Sequence, residues 1–431
     1  MWPGERRRQL TAGAVAVLIA AASAAVSALA NFVSPMIAAV LGLAAGGLAG
    51  AGTLWWEERR ERDDARRTWE AAVTTGPASG VDGATATSSL LAAVNPDQQV
   101  VPFSPLRGAD VRALVHWCRS SDSRRVWRVA GDAGTGKTRL LLQAAHTLTE
   151  EGWRCGWVRR GKAADAVAAA ALRGGSGPVL LVVDDADTQP DPGDLAAMLS
   201  AVANEPPEVR LRVVLAARDF GGWWGGLRER MDPAAHAGLK PPGSTHLTPM
   251  GSDVPGQQQL FQRAVNHYAD HFGGAPPAVT LTGITNATPI AELHAAAASV
   301  AFHGLSGSVP ISLALSRLFQ SEETWWQSDA ANWNVTFPLP VLQAAIAAAA
   351  LIGADDKAQF VRRLRCLPGL ASSPDERLSE LALWLHQLYA QRGGEWLDPH
   401  LPARLAERYI ASCVASRPSL PSALASAALL T

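Results

Sequence analysis

Lysine is nearly absent from this chain: Lys137, Lys162, Lys240 and Lys357 are the only ones in 431 residues, and arginine carries the remaining positive charge. With 38 basic against 39 acidic side chains, the formal net charge is −1. No overall basic field therefore marks the chain for nucleic acid. Cysteine is equally sparse. Cys118, Cys155, Cys366 and Cys413 lie far apart with no CxxC pair, which excludes a disulfide framework and a paired-thiolate metal site and fits reduced, mostly buried thiols. No Ser–His–Asp or metal-ligand spacing stands out, and no internal period of solenoid length is present. What is there is apolar: 48% of residues are hydrophobic, many of them alanine, in a chain long enough for two to three domains.

One of the scarce lysines stands where chemistry explains it. Val126 to Ala130 reads as a short buried strand, followed by Gly131, four residues, then Gly136-Lys137-Thr138 and an apolar-periodic helix. This is the strand–loop–helix context of a phosphate-binding P-loop. Gly131, Gly134 and Gly136 let backbone N–H groups curl around a phosphate at the positive end of the new helix. Lys137 puts a cation on the β/γ-phosphates, and the Thr138 hydroxyl is placed to ligate Mg²⁺. The whole run Gly131, Asp132, Ala133, Gly134, Thr135, Gly136, Lys137, Thr138 and Arg139 is the expected nucleotide-binding segment, with ATP and Mg²⁺ as its ligands.

Ahead of this domain, Leu10–Ala30 and Phe32–Trp56 are free of charge, each long enough to cross ~30 Å of hydrocarbon. Arg6, Arg7 and Arg8 flank the first; Arg59, Arg60, Arg62, Arg66 and Arg67 follow the second. Positive charge on both outer flanks predicts a transmembrane hairpin, helices at about 10–30 and 33–56, with both ends cytoplasmic. Trp55 and Trp56 suit an interfacial anchor, and Gly42, Gly46 and Gly50 a close-packing face. Rival readings are a cleaved signal peptide ending at Ala30 and a buried alanine-rich hairpin. The expected location is the cell membrane, multi-pass, with the nucleotide domain in the cytoplasm. Residues 1–68 thus form the hairpin and a juxtamembrane helix, and 69–98, rich in Gly, Ala, Ser and Thr, a flexible linker.

Elements then alternate. Trp153–Val158, Pro178–Val183, Leu211–Ala217 and Thr245–Thr248 read as strands; Ala163–Leu172 and Leu195–Val202 read as helices. Unbroken apolar runs such as PVLLVV suit strands buried on both faces of a parallel sheet, whose ligand sits at the strand C-termini. From about Gly256 strands are scarce, and Leu313–Phe319, Val341–Ile352, Phe360–Leu367 and Leu378–Tyr389 look helical. Gly307–Pro310 suits either a proline turn meeting an adenine or an ordinary helix-initiating turn. The expected fold class is α/β. A parallel-sheet P-loop NTPase domain spans 99–255, and a helical domain spans 256–431, with a winged-helix-like unit around Trp396–Cys413.

Asp184 closes the apolar run Pro178–Val183, where a carboxylate can hold Mg²⁺. Hydrolysis also needs a carboxylate to orient water. Asp185 and Asp187 both qualify by position; Asp185 is preferred because it directly follows the metal-holding residue. Arg218 ends the next strand, on the edge where a γ-phosphate belongs. Trp223-Trp224 between glycine pairs reads as a packing anchor.

The runs VPFSPLRGADVRALVHWC, GDAGTGKTRLLLQAA, PVLLVVDDADT and LRVVLAARDFGGWW resemble the STAND class of AAA+-related P-loop NTPases, nearest its actinobacterial group with a Trp-rich turn after the sensor arginine. The likeness extends more weakly to about Cys413. It implies an ATP-driven switch in which ADP holds a closed form and ATP opens or assembles it, through a protein partner or self-association. It also implies the P-loop roles for Lys137 and Thr138, the Mg²⁺ role for Asp184 and a sensor role for Arg218. Members often carry tyrosine where Asp185 stands and glutamate where Asp187 stands, a departure that bears on which residue activates water. The expected function is a membrane-anchored ATP-binding switch with slow Mg-dependent ATP hydrolysis. The alternative is a non-hydrolysing, nucleotide-loaded membrane scaffold.

Overall fold

The computed structural model describes residues 63–76, 89–121, 123–172, 177–206, 210–233, 235, 244–251, 253–354, 356–388, 396–397 and 403–430. Two compact units divide the chain, Met1–Arg67 and Thr68–Thr431, and the second contains every element named here. The hairpin expected at about 10–30 and 33–56 lies outside the described residues. Among the described residues no helix is long and apolar enough to cross a membrane.

Five parallel strands form the centre of the second unit, in the spatial order β3 (Arg154–Val158), β4 (Val179–Val183), β5 (Leu211–Ala217), β2 (Val126–Ala130) and β6 (Ser244–His246). Every residue of β4 and β5 is buried, as their apolar runs require. Strand alternation divides the side chains between two cores. Val129, Leu180, Val182, Val214 and Ala216 pack under α2 (Gly108–Arg119) and α3 (Lys137–Glu150). Val126, Leu181, Val183, Val213 and Leu215 pack under α4 (Ala163–Leu172), α5 (Pro192–Asn204) and α6 (Gly222–Glu229). Trp224 is buried in this second core and stands edge-on to Phe220, so the Trp pair does serve packing. One charge enters β5. Arg212 donates to the carbonyls of Ser120 (2.7 Å), Arg124 (3.2 Å) and Cys118 (3.4 Å) and lies over the Trp117 ring. A buried cation is thereby matched to the negative end of α2.

The linker expected over 69–98 needs correction at 69–76 and 89–98, while 77–88 lie outside the described residues. Val73 and Thr74 form β1, antiparallel to Trp157 and Val158 on the outer edge of β3. Trp69 packs there under the Arg154 guanidinium, 4.5 Å from the ring centroid. The approach is so close that a Cβ on Gly156 would overlap Val73 Cγ1 and come within 3.0 Å of Trp69, so glycine is required. Further on, Leu90–Ala93 forms a fully buried helical turn, α1, capped by Ser89. Composition misled here because small residues suit close packing as well as flexible linkers.

Beyond the sheet lie α7 (Val254–His271), α8 (Ile290–His303), α9 (Ile311–Asn332), α10 (Leu339–Leu351), α11 (Lys357–Leu364), α12 (Asp375–Leu388), α13 (Ala403–Ser416) and α14 (Leu420–Ala428). Asp253 and Asp356 cap α7 and α11 by accepting from Gly256 and Gln359 N–H. Two short strands, β7 (Val279–Thr282) and β8 (Gly307–Pro310), pair in parallel. Gly307–Pro310 is therefore a strand, and Pro310 leads directly into α9. Of the expected winged-helix-like unit, the described residues show α13 and a bridge from Ala354 to Leu397.

Glu322 on α9 is 1% exposed and faces α1. Its carboxylate accepts from Leu91 N–H (2.9 Å) and from the Ser89 hydroxyl (3.0 and 3.2 Å). Burial pushes its pKa up to about 7 from 4.5, although these donors pull the other way. A raised carboxyl pKa means that the folded state binds the proton more tightly, so stability falls as pH rises between those values. The stability difference between wild type and Glu322→Gln should therefore move in favour of the glutamine variant by up to about 3 kcal/mol from pH 5 to pH 8. Denaturant melts at the two pH values measure it, and a constant difference would refute the assignment.

Candidate nucleotide site

The P-loop leaves β2 at Gly131, whose N–H donates to the carbonyls of Ala217 (3.2 Å) and Arg218 (3.0 Å) and so joins the loop to the end of β5. Gly131, Gly134 and Gly136 adopt φ of 155°, 82° and 98°, and the latter two lie well inside the left-handed region that glycine favours. Thr135 is buried, and its hydroxyl donates to the Asp132 carbonyl at 2.9 Å, which tightens the turn. Lys137 then opens α3. Its ammonium, 7% exposed as a residue, donates to the carbonyls of Gly131 (2.7 Å) and Asp132 (3.2 Å), so the cation stays at the mouth of the loop. The first-turn N–H groups of α3 add a partial positive charge at the same place.

Thr138 Oγ1 donates to Asp184 Oδ2 at 2.7 Å, which joins the start of α3, next after β2, to the end of β4 across the intervening β5. Burial, and then the charge of Asp185, raise the Asp184 carboxyl above the ordinary carboxylate range. Two carboxylates crowded beside a hydroxyl make a site short of positive charge and furnished with hard oxygen donors, a set that fits Mg²⁺. Asp185 has φ of 47°, a left-handed turn that costs a non-glycine residue about 1–2 kcal/mol. That turn breaks strand alternation, so Asp184 and Asp185 both line one cavity instead of opposite faces of the sheet. Asp185 is also held above the usual range, by the protein around it more than by any single charge, while Lys137 opposes the shift.

Asp187 goes elsewhere. Its Oδ2 accepts from the Arg218 backbone N–H at 3.2 Å, and the residue lines a separate hollow with Trp223 and Arg230. The Arg218 side chain reaches the cavity that contains Lys137, Thr138, Asp184 and Asp185. Ala133 and Arg139 line it as well, and Arg139 donates to the Val101 carbonyl at 3.3 Å.

The cavity, about 510 Å³, extends beyond the sheet. Val94, Val101, Met250 and Leu260 supply an apolar end, with Tyr268 and His294 beside it. Burial pushes His294 down to about 4, so its imidazole is neutral at physiological pH. On another side stand Arg404 and Glu407 of α13. Ala291 N–H, at the start of α8, donates to the Gly134 carbonyl at 3.1 Å, and a Cβ on Gly134 would stand 3.0 Å from Arg404 Cβ. Arg404 and Arg408 both donate to Glu292, which is 2% exposed, at 2.6 Å and 2.9 Å. Sequence reasoning missed these residues. A lone glutamate in the alanine-rich run IAELHAAAASV and the Arg404–Glu407–Arg408 spacing on one helical face were available signals. Their convergence on the P-loop was not. Lys137→Ala removes the ammonium from the loop mouth, so affinity for a nucleoside triphosphate should fall at least about tenfold, or roughly 1.4 kcal/mol. Titration of a folded Lys137→Ala protein with ATP measures it, and unchanged affinity would remove the phosphate-loop assignment.

Residues 107–226 match a family model described as Novel STAND NTPase 5. No curated protein gives a significant sequence match. Among solved structures, Cdc6p from Pyrobaculum aerophilum aligns at 12% identity with a TM-score of 0.35, covering 82% of this chain and 99% of that one. PCH-2 from C. elegans aligns at 10% identity with a TM-score of 0.34, covering 54% and 72%. These likenesses are too distant to bear on function. Over the matched stretch, which carries the phosphate loop, the acidic strand and Arg218, the chain is similar to the STAND class of P-loop NTPases.

Proposed function

We propose that the chain is an ATP-binding switch with slow Mg-dependent hydrolysis, anchored to a membrane through the segments at 10–30 and 33–56. The observation that carries the switch reading is the seating of α13: a helix from the far end of the chain packs on Gly134 and pairs with Arg218. A nucleotide entering this cavity meets groups from both the sheet and the helical part, so its phosphate content can alter how they sit together. Lys137 and the α3 N-terminus hold the β/γ-phosphates. Thr138 and Asp184 would hold Mg²⁺, which would supply neutralisation of the developing phosphate charge.

In this reading Asp185 orients the attacking water. It lines the phosphate cavity, whereas Asp187 is engaged with the Arg218 backbone. A general base contributes about 10²–10⁴-fold in rate. Asp185→Asn should therefore lose single-turnover ATP hydrolysis by at least about 10²-fold while still binding ATP. Loss confined to Asp187→Asn would transfer the role, and wild-type turnover by both variants would mean that neither carboxylate is the base.

The anchor rests on sequence: two charge-free stretches with arginine on both outer flanks. Reporters fused at the N-terminus and after Arg67 should both appear cytoplasmic in intact cells. Removal of the N-terminus between Ala30 and Asn31 would eliminate the hairpin, and recovery of the chain in the soluble fraction would eliminate the anchor.

A further inference from the structure

Arg218 ends the strand next to the P-loop strand, where a phosphate-sensing arginine belongs, yet its guanidinium is already engaged. Nη2 lies 2.9 Å from Glu407 Oε1 on α13. The other carboxylate oxygen of Glu407, Oε2, lies 3.1 Å from Arg404 Nη1. All three residues line the cavity that contains Lys137 and Asp184. A carboxylate bridging two guanidiniums inside a phosphate cavity makes the contacts that a phosphoryl oxygen pair would make there.

We infer that Glu407 is an internal competitor of the γ-phosphate: its carboxylate occupies Arg218 until a triphosphate displaces it, and a diphosphate leaves the pair intact. The inference rests on the nucleotide reading above and names how that site tells three phosphates from two. Both side chains are substantially exposed, 52% for Arg218 and 37% for Glu407, so the pair is weak enough to exchange partners in water. The remaining clamp on α13 is of another kind. Glu292 is 2% exposed and takes both Arg404 and Arg408, so the helix keeps its seat on α8 when Glu407 lets go. Glu407 therefore sets nucleotide preference without being needed for folding.

The test titrates ATP and ADP, each with Mg²⁺, into the full chain in detergent and compares their affinities. Glu407→Gln removes the competing charge, so the ATP-to-ADP affinity ratio should rise about fivefold, the scale of an exposed ion pair. In the Arg218→Gln background the same substitution should leave the ratio unchanged, because the contested group is gone. A ratio within twofold of wild type in Glu407→Gln overturns the inference. A gain that persists without Arg218 also does, as does loss of both nucleotides in Glu407→Gln. Failure of wild type to bind either nucleotide is a different result: it sinks the nucleotide reading itself.

Discussion

The carbonyl of Gly134 accepts a hydrogen bond from Ala291, and the missing Cβ of the same residue makes room for Arg404. Much of the molecule's logic depends on that one backbone position. The phosphate loop needs glycine there for its positive φ, and the helical part needs glycine there to come close. A loop that would otherwise be open on one side is covered by the first turn of α8 and by α13. Any ligand of the loop therefore meets both.

Buried charge is handled in three ways across this fold. Arg212 is met by carbonyls at the end of α2, Glu292 by two arginines, and Glu322 by backbone and hydroxyl donors. In each case the charge joins elements distant in sequence, because leaving any of these groups without partners in the interior costs more than one hydrogen bond returns. The Arg218–Glu407 pair differs, since it is wet and its partners have other options.

The sheet was legible because its signals are local. Unbroken apolar runs gave β4 and β5, with β5 matching its predicted span at Leu211–Ala217, and the glycine spacing gave the loop and the start of α3. The stretch around β1 and α1 was not legible, because its packing depends on a partner glycine at 156 and a glutamate at 322. Strands β7 and β8 were missed for a related reason: each is four residues long and, among the described residues, pairs only with the other. At the site, motif spacing singled out Lys137, Thr138, Asp184, Asp185 and Arg218, which line one cavity. It did not reveal that a left-handed turn at Asp185 would put it in one cavity with Asp184, or that residues of α13 would line the same cavity.

Strand β1 and the Ser89–Glu322 contact are two moorings on different parts of the molecule: the first holds the chain to the sheet edge, the second to α9. The covalent path from Gly76 to Ser89 cannot reach farther than roughly 45 Å. The segment between them is thereby fixed at both ends, to the sheet edge and to α9, which lie far apart in sequence.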